Sequence, residues 1–120
     1  MQNYRQLIVW QKAHAVALKI HDITGSIPRH QNSGLVSQMR RAALSIPSNL
    51  AEGCSRASDV DFAKFVQIAI GSASELEYRL HFSADAKILP RKELEERIEE
   101  VVEVRRMLIG LLKKLRETSK

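Results

Sequence analysis

Apolar residues recur every three or four positions along most of the chain, which is the period of an amphipathic α-helix. No segment shows the strict alternation of apolar and polar residues that is typical of a half-buried strand. The pattern predicts an all-α protein whose helices span about residues 5–24, 33–55, 58–87 and 91–117. These helices form one predicted domain, which covers residues 1–120.

Turn and capping residues mark the predicted boundaries. Gly25 and Pro28 end the first helix, and Pro90 ends the third. Ser58 is a favourable N-cap, and the acidic residues that follow it suit the positive end of a helix dipole. Because the connections are short, consecutive helices are expected to be antiparallel neighbours. We therefore predict an antiparallel up-down-up-down four-helix bundle.

Each predicted helix has one face that we expect to be buried. The residues of these faces are Val9, Ala13, Val16, Ile20 and Ile23; Leu35, Met39, Ala42, Ala43, Ile46, Leu50 and Cys54; Phe62, Phe65, Val66, Ala69, Ala73, Leu76 and Leu80; and Leu94, Ile98, Val101, Leu108, Leu112 and Leu115. Several helices are apolar over about 200° of arc, which is wider than the ~100° stripe that a monomeric bundle needs. The excess predicts a homo-oligomer that buries a second face of at least two helices.

Composition indicates a globular protein, because 44% of the 120 residues are hydrophobic and 28% are charged. The one cysteine excludes an intramolecular disulfide and favours a reducing compartment. No apolar stretch reaches the ~20 residues that a membrane span needs. We therefore predict a cytoplasmic protein with no membrane partner.

The formal net charge is +5, and it is unevenly distributed along the chain. Residues 1–57 contain seven Lys or Arg and two acidic residues, whereas residues 58–86 contain two and five. Residues 87–120 contain ten and seven. Segments of opposite sign can pair inside the fold, but the surplus positive charge has to face solvent or a polyanion.

The segment SIPSNLAEG at residues 45–53 places a proline inside the second predicted helix. Pro47 removes one helical hydrogen bond and its ring clashes with the carbonyl of Ala43, so we expect a kink or a break there. Ser45 and Ser48 have hydroxyls that could bond to the freed backbone.

Polar residues around this proline share one side of the helix, opposite the buried face. Arg41 and Glu52 lie on this strip, with Asn49 and Arg56 beside it. Glu52 precedes Arg56 by four residues, which is the favourable order for an ion pair, and Gly53 permits close helix packing. The strip is either a structural network or a patch that binds a partner. It has no histidine and no nucleophile turn at useful spacing, which argues against catalysis.

Four stretches of the chain carry a resemblance to a known family. SIPSNLAEGCSR, at Ser45–Arg56, is similar to the SIPSNIAEG-x-x-R signature of bacterial four-helix-bundle proteins encoded in intervening sequences of large-subunit ribosomal RNA genes, with Leu50 in place of the usual Ile. Further matches are LIVWQKA at Leu7–Ala13, SGLVSQMRRAA at Ser33–Ala43 and GSASELEYRL at Gly71–Leu80. The resemblance covers nearly the whole chain, in order.

The resemblance implies a bundle that assembles as a ring, commonly a homopentamer. It also implies a relationship to the accessory proteins of diversity-generating retroelements. Those proteins are basic oligomers that bind nucleic acid and a reverse transcriptase.

Basic residues are the best candidates for a functional surface. The predicted phosphate contacts are Lys12, Lys19, Arg40, Arg41, Lys113 and Lys114. Arg40 and Arg41 point about 100° apart on a helix, so we do not expect both to serve one flat patch of a single chain. Each of these basic helix faces is either a charged surface exposed to solvent or a surface that attracts phosphates without recognising the base sequence.

Arg105 lies within the apolar arc of the fourth helix, where an unpaired guanidinium would be costly. We expect it to form an ion pair with Glu75 or Glu52 as part of the structural network. Glu75 is also spaced to pair with Arg79.

Histidine and cysteine spacing does not indicate a metal site. His14 and His21 are seven residues apart, which is too far to bind one metal without a ligand from another helix, and we expect them in the core or an interface. Cys54 lies on the buried face and is expected to be inert. We predict no metal and no cofactor.

These features favour a non-enzymatic, basic, oligomeric bundle that binds structured nucleic acid, with RNA expected, through backbone charge. The alternative is an adaptor that binds another protein and scaffolds an enzyme such as a reverse transcriptase.

Overall fold

The computed structural model describes residues 2–118, which form four α-helices after a short 3₁₀ turn at Tyr4–Gln6. The helices are α1, Ile8–Thr24; α2, Ser33–Cys54; α3, Asp59–Asp85; and α4, Arg91–Thr118. The prediction of an all-α protein with four helices is confirmed.

Local hydrogen bonds explain where two of the helices begin. The side chain of Asn3 accepts a hydrogen bond from the backbone N–H of Arg5, and this capped 3₁₀ turn replaces the first predicted turn of α1. Leu7 is then extended, so α1 begins at Ile8. Ser58 is the N-cap of α3, and its hydroxyl accepts from the N–H of Asp61 at 3.2 Å.

Each helix packs against two neighbours. The residues that contact each other run in opposite order along the two helices of a pair. In the pairing of α1 with α4, Lys12 contacts Glu103 and Lys19 contacts Glu100. In the pairing of α2 with α3, Gln38 bonds to Arg79, whereas the later residue Ser45 bonds to the earlier residue Ser72. Neighbouring helices are therefore antiparallel, and together they form a four-helix bundle about 48 Å long.

Both ends of the described chain are attached to the same end of the bundle. The N–H of Gln2 donates to the carbonyl of Cys54 at 3.1 Å, and the hydroxyl of Thr118 donates to Asp59 Oδ2 at 2.6 Å. The connections from α1 to α2 and from α3 to α4 lie at the opposite end.

The core is built from the predicted apolar faces. Of the residues predicted to be buried, Leu35, Phe65 and Ile98 are half-buried, and the others are buried. Val104, which lies beside the predicted buried face of the fourth helix, is buried as well. The helical period was therefore sufficient to predict which side chains form the core.

Apolar side chains also remain on the outside of the protomer. Leu18 on α1 and Leu44 on α2 are 54% and 61% exposed, and together they line one groove. Ile68 on α3 and Ile109 on α4 are 51% and 50% exposed. The apolar arcs of these helices are thus only partly covered within one chain.

Gly53 lies at a close contact between α2 and the start of α3. A Cβ atom at Gly53 would lie 2.6 Å from Cδ1 of Phe62 and 3.1 Å from Cβ of Phe65. Phe62 is buried in the first turn of α3, so its ring has little room to move. Only glycine fits at this position without displacing an aromatic side chain.

Arg105 forms an ion pair with Glu77, so the predicted partners Glu75 and Glu52 were wrong. The two side chains are 26% and 23% exposed, and they connect α4 to α3. Glu75 instead pairs with Arg79 at 2.7 Å on its own helix. Successive residues on a helix point about 100° apart, so Glu75 and Glu77 point in very different directions. The sequence alone did not indicate which of the two faces α4.

Gly53→Ala is expected to lower the free energy of unfolding by about 1–3 kcal/mol, because Phe62 has to shift. Gly110→Ala is the matched control, since a Cβ at Gly110 meets nothing within 4 Å. This control should be stabilised by about 0.5–1 kcal/mol through helix propensity. Urea denaturation followed by circular dichroism measures both, and equal effects would contradict the assigned role of Gly53.

Glu77→Gln is expected to destabilise the protein by about 1 kcal/mol more than Glu75→Gln, because it leaves the half-buried Arg105 guanidinium without its carboxylate. Glu75 is more exposed, and its loss leaves Arg79 bonded to Gln38. Chemical denaturation at matched protein concentration gives the comparison. A larger effect of Glu75→Gln would show that the pairing on α3 is the stronger contact.

Candidate nucleic-acid interface

The proline segment is built into the α2–α3 packing. Pro47 is buried, and α2 continues as a helix through it. Of the two predicted outcomes, the break is therefore wrong, and the kink stays a prediction. The hydroxyls of Ser45 and Ser72 share a hydrogen bond of 2.8 Å between α2 and α3. The amide of Asn49 donates to the carbonyl and to the hydroxyl of Ser45, at 2.8 and 2.9 Å. Ser45 thus ties α2 to α3, and Asn49 holds Ser45 in place from within α2.

Glu52 and Arg56, which come after the proline in the sequence, stabilise the end of α2. Glu52 Oε1 and Arg56 lie 2.7 Å apart, as their spacing predicted. The guanidinium of Arg56 also lies over the ring of Phe65 on α3, 4.8 Å from its centroid. With Gly53 against Phe62, these contacts give the segment a structural role inside one protomer.

The predicted basic strip on α1 is paired with acidic residues of α4. Lys12 Nζ lies 2.7 Å from Glu103 Oε1, and Lys19 Nζ lies 2.6 Å from Glu100 Oε2. Both pairs are exposed enough to be screened by salt. The strip nevertheless presents little net charge to a ligand, which makes it the weakest of the predicted phosphate contacts.

Arg40 is half-buried and attached to the end of α1. Its Nε donates to the hydroxyl of Thr24 at 2.7 Å, and its Nη2 donates to the carbonyl of His21 at 2.9 Å. A cation at the C-terminal end of a helix interacts favourably with the helix dipole and with the last carbonyls of the helix. Arg40 is therefore held in one place by α1.

Arg41 is exposed and has no ion-pair partner among residues 2–118. It lines two cavities, one on either side. The first, of about 520 Å³, is also lined by Arg29 and Arg40, and we call it the arginine cavity. The second, of about 410 Å³, is shared with Glu75 and Arg79 on α3.

The arginine cavity corrects one expectation and adds one residue. Arg40 and Arg41 were not expected to serve one flat patch, yet both line this cavity because its surface is concave and follows the start of α2 around to the end of α1. Arg29 was not predicted, since a lone arginine in a loop gives no periodic signal. Its position one residue after Pro28, between two basic helix faces, is the signal that could have indicated it.

Lys113 and Lys114 are exposed on α4, and within the described chain neither has an ion-pair partner. Arg106 lies two turns earlier, is exposed and is likewise unpaired in residues 2–118, although it was not among the predicted phosphate contacts. Gly110 lies between them with open space around it. We call Arg106, Lys113 and Lys114 the α4 cationic strip. Arg106 and Lys113 are seven residues apart and lie nearly in line along the helix, and Lys114 lies about 100° around the helix from Lys113.

The remaining titratable candidates lie apart from these surfaces. His14 and His21 are exposed in the protomer, so a core position is wrong, and the ring of His14 stacks on Trp10 with centroids 4.8 Å apart. Cys54 is buried, and burial raises the pKa of its thiol, which lowers its reactivity. No group of three or more His, Cys, Asp or Glu within residues 2–118 is arranged to hold a metal ion.

None of the helices in the described part of the chain is both long enough and apolar enough to cross a membrane. The arginine cavity and the α4 cationic strip can both hold phosphate groups, because guanidinium and ammonium groups that form no ion pair attract them. Neither surface brings together a nucleophile and a base.

The chain resembles known proteins in both fold and sequence. A crystal structure of a protein of unknown function from the S23 ribosomal protein family, from Bacteroides thetaiotaomicron, has a TM-score of 0.83 at 25% sequence identity, over 88% of this chain and 99% of that chain. No curated protein matches the chain. The family model described as 23S rRNA-intervening sequence protein matches residues 5–110. Because this match spans most of the chain, the protein belongs to the family of 23S rRNA-intervening sequence proteins.

Proposed function

We propose that this protein binds structured RNA through the phosphate backbone and does so without catalysing a reaction. The observation that carries the proposal is the α4 cationic strip, in which three exposed cations lack acidic partners among residues 2–118. Several other basic side chains within residues 2–118 are paired with carboxylates, for example Lys12 with Glu103 and Lys19 with Glu100. Unpaired cations on one helix give a field that attracts a polyanion.

Backbone contacts suit this surface better than base stacking does. Tyr4 packs edge-on against Trp10, with centroids 4.9 Å apart, and is half-buried. Tyr78 is exposed, but it lies on α3 beside Phe82 and not on the α4 cationic strip. Without aromatic side chains among the cations, binding depends on charge and on the shape of the nucleic acid. RNA is the proposed class because the family is described by 23S rRNA intervening sequences.

Self-assembly into a ring-like homo-oligomer, with a homopentamer expected, is part of the proposal. The exposed apolar residues lie on different sides of the protomer, Leu18 and Leu44 on α1 and α2 and Ile68 and Ile109 on α3 and α4. Two different apolar surfaces on one chain favour a head-to-tail interface, which closes into a ring when the rotation per subunit permits. A ring would repeat the α4 cationic strip around its circumference.

The second candidate function is that of an adaptor for another protein, such as a reverse transcriptase. The observation that favours it is the groove of about 300 Å³ between α1 and α2, which Ala17, Leu18 and Leu44 line. The same groove is available to a partner protein if the chain does not use it for self-assembly.

The double variant Lys113→Gln and Lys114→Gln is expected to weaken binding to a structured 23S rRNA fragment. Because each lost phosphate contact removes about one released counterion, the slope of log affinity against log salt should fall by about 2. Fluorescence anisotropy across a range of salt concentrations measures this slope.

The matched control is the double variant Lys12→Gln and Lys19→Gln, which removes the same amount of charge from paired positions. It should leave the salt slope unchanged. Equal slopes for both double variants would remove the α4 cationic strip from the interface. Absence of binding by the unmodified protein even at low salt would contradict the proposed function and favour the adaptor.

Leu44→Glu is expected to reduce the mass of the particle in solution to the 13.6 kDa of one chain while retaining its helical circular dichroism. The reason is that Leu44 is 61% exposed in the protomer, so the charge affects assembly and not the core. Light scattering coupled to size exclusion gives the mass. Ala57→Glu, in the exposed α2–α3 connection, adds the same charge away from the groove and should leave assembly intact. A monomeric unmodified protein would refute the oligomer.

A further inference from the structure

The arginine cavity concentrates positive charge on a concave surface. Arg29 comes from the α1–α2 connection, and Arg40 and Arg41 come from α2. None of the described residues that line the cavity is acidic. Three arginines line one space of about 520 Å³, so their positive charges repel each other, and an anion inside that space would offset this cost.

The three arginines are not equivalent. Arg40 is fixed by its bonds to Thr24 and His21, and it defines one wall of the cavity. Arg29 and Arg41 have no ion-pair partner within residues 2–118, so their donors are available to a ligand. A fixed guanidinium beside two available ones is a preorganised arrangement, since only two side chains lose freedom when the anion binds.

Further donors line the same space. Ser33 and Ser37, both exposed on the first turns of α2, contribute hydroxyl groups. The first turn of α2 contains no acidic residue, so no carboxylate of that turn competes with an incoming anion. These hydroxyl groups add hydrogen-bond donors to the positive charge that the arginines supply.

The shape and charge of the cavity favour a phosphate monoester over a phosphodiester. A phosphate inside a nucleic-acid strand has one negative charge and is covered on two sides by the sugars that it joins. A terminal phosphate has three free oxygens and about −1.5 to −2 charges at pH 7, and it can enter a concave site. Guanidinium groups match such oxygens with paired hydrogen bonds.

We propose that the arginine cavity binds the terminal phosphate of a nucleic-acid strand, through Arg29, Arg40 and Arg41. This inference rests on the proposed function, because it supplies the point at which a bound RNA is held by its end. The chain would then have two separate binding surfaces with different roles. The α4 cationic strip contacts the backbone along a duplex, and the arginine cavity selects strands that end in a phosphate.

The test compares one RNA hairpin in three forms, with a 5′-phosphate, with a 3′-phosphate and with hydroxyl groups at both ends. At least one phosphorylated form is expected to bind about 10-fold more tightly than the hydroxyl form in fluorescence anisotropy at neutral pH, as charge-assisted hydrogen bonds predict. The preference should diminish below about pH 6, where the second ionisation of the phosphate is lost.

Arg29→Gln and Arg41→Gln should each reduce this preference, because each should lower the affinity for the phosphorylated form by a larger factor than the affinity for the hydroxyl form. Arg40 is not substituted, because it also holds α1. Lys113→Gln is the control, and it should weaken all three forms by the same factor while preserving their ratio.

Three results would overturn the inference in different ways. Equal affinity for all three forms would exclude end recognition while leaving the proposed function standing. Absence of binding for all three forms at low salt would exclude both. A preference that survives Arg29→Gln and Arg41→Gln would show that the terminal phosphate binds elsewhere.

Discussion

The close approach of α2 to α3 is the constraint on which the rest of the structure depends. At one end, Gly53 leaves room for the buried ring of Phe62, and further along the hydroxyls of Ser45 and Ser72 meet at 2.8 Å. Small residues at these points let the two backbones come together, and the bulky apolar side chains of the bundle fill the space that remains. This packing fixes the direction of α2, which brings Arg40 to the carbonyl end of α1 and Arg41 to the rim of the arginine cavity.

The described chain separates its charges into two kinds. Pairs such as Lys12 with Glu103 and Lys19 with Glu100 link α1 to α4 and cancel each other at the surface. The cations of the α4 cationic strip have no such partner among residues 2–118, although they share a helix with the paired acids. Pairing therefore cancels part of the basic excess and leaves other cations, including those of the α4 cationic strip, without a neutralising carboxylate. Local pairing, more than net charge, decides where a polyanion can bind.

The sequence was informative about the fold and much less so about the surface. Helix positions and buried faces follow from periodicity, which needs only the order of residues in one segment. Glu77 as the partner of Arg105, and the shared cavity of Arg40 and Arg41, depend on how two helices rotate against each other. Those rotations are set by packing across the core, and no single segment encodes them. For the same reason the carboxylates that neutralise Lys12 and Lys19 could not be read from α1 alone.

The attachment of both described chain ends to one end of the bundle has a practical consequence. Gln2 is bonded beside the end of α2, and Thr118 is bonded to the start of α3, whereas the arginine cavity lies at the far end of a bundle about 48 Å long. A fluorophore, affinity handle or sensor-chip linkage joined to either terminus would therefore point away from the cavity. Immobilised protein would present its arginines to the solution whichever terminus is chosen.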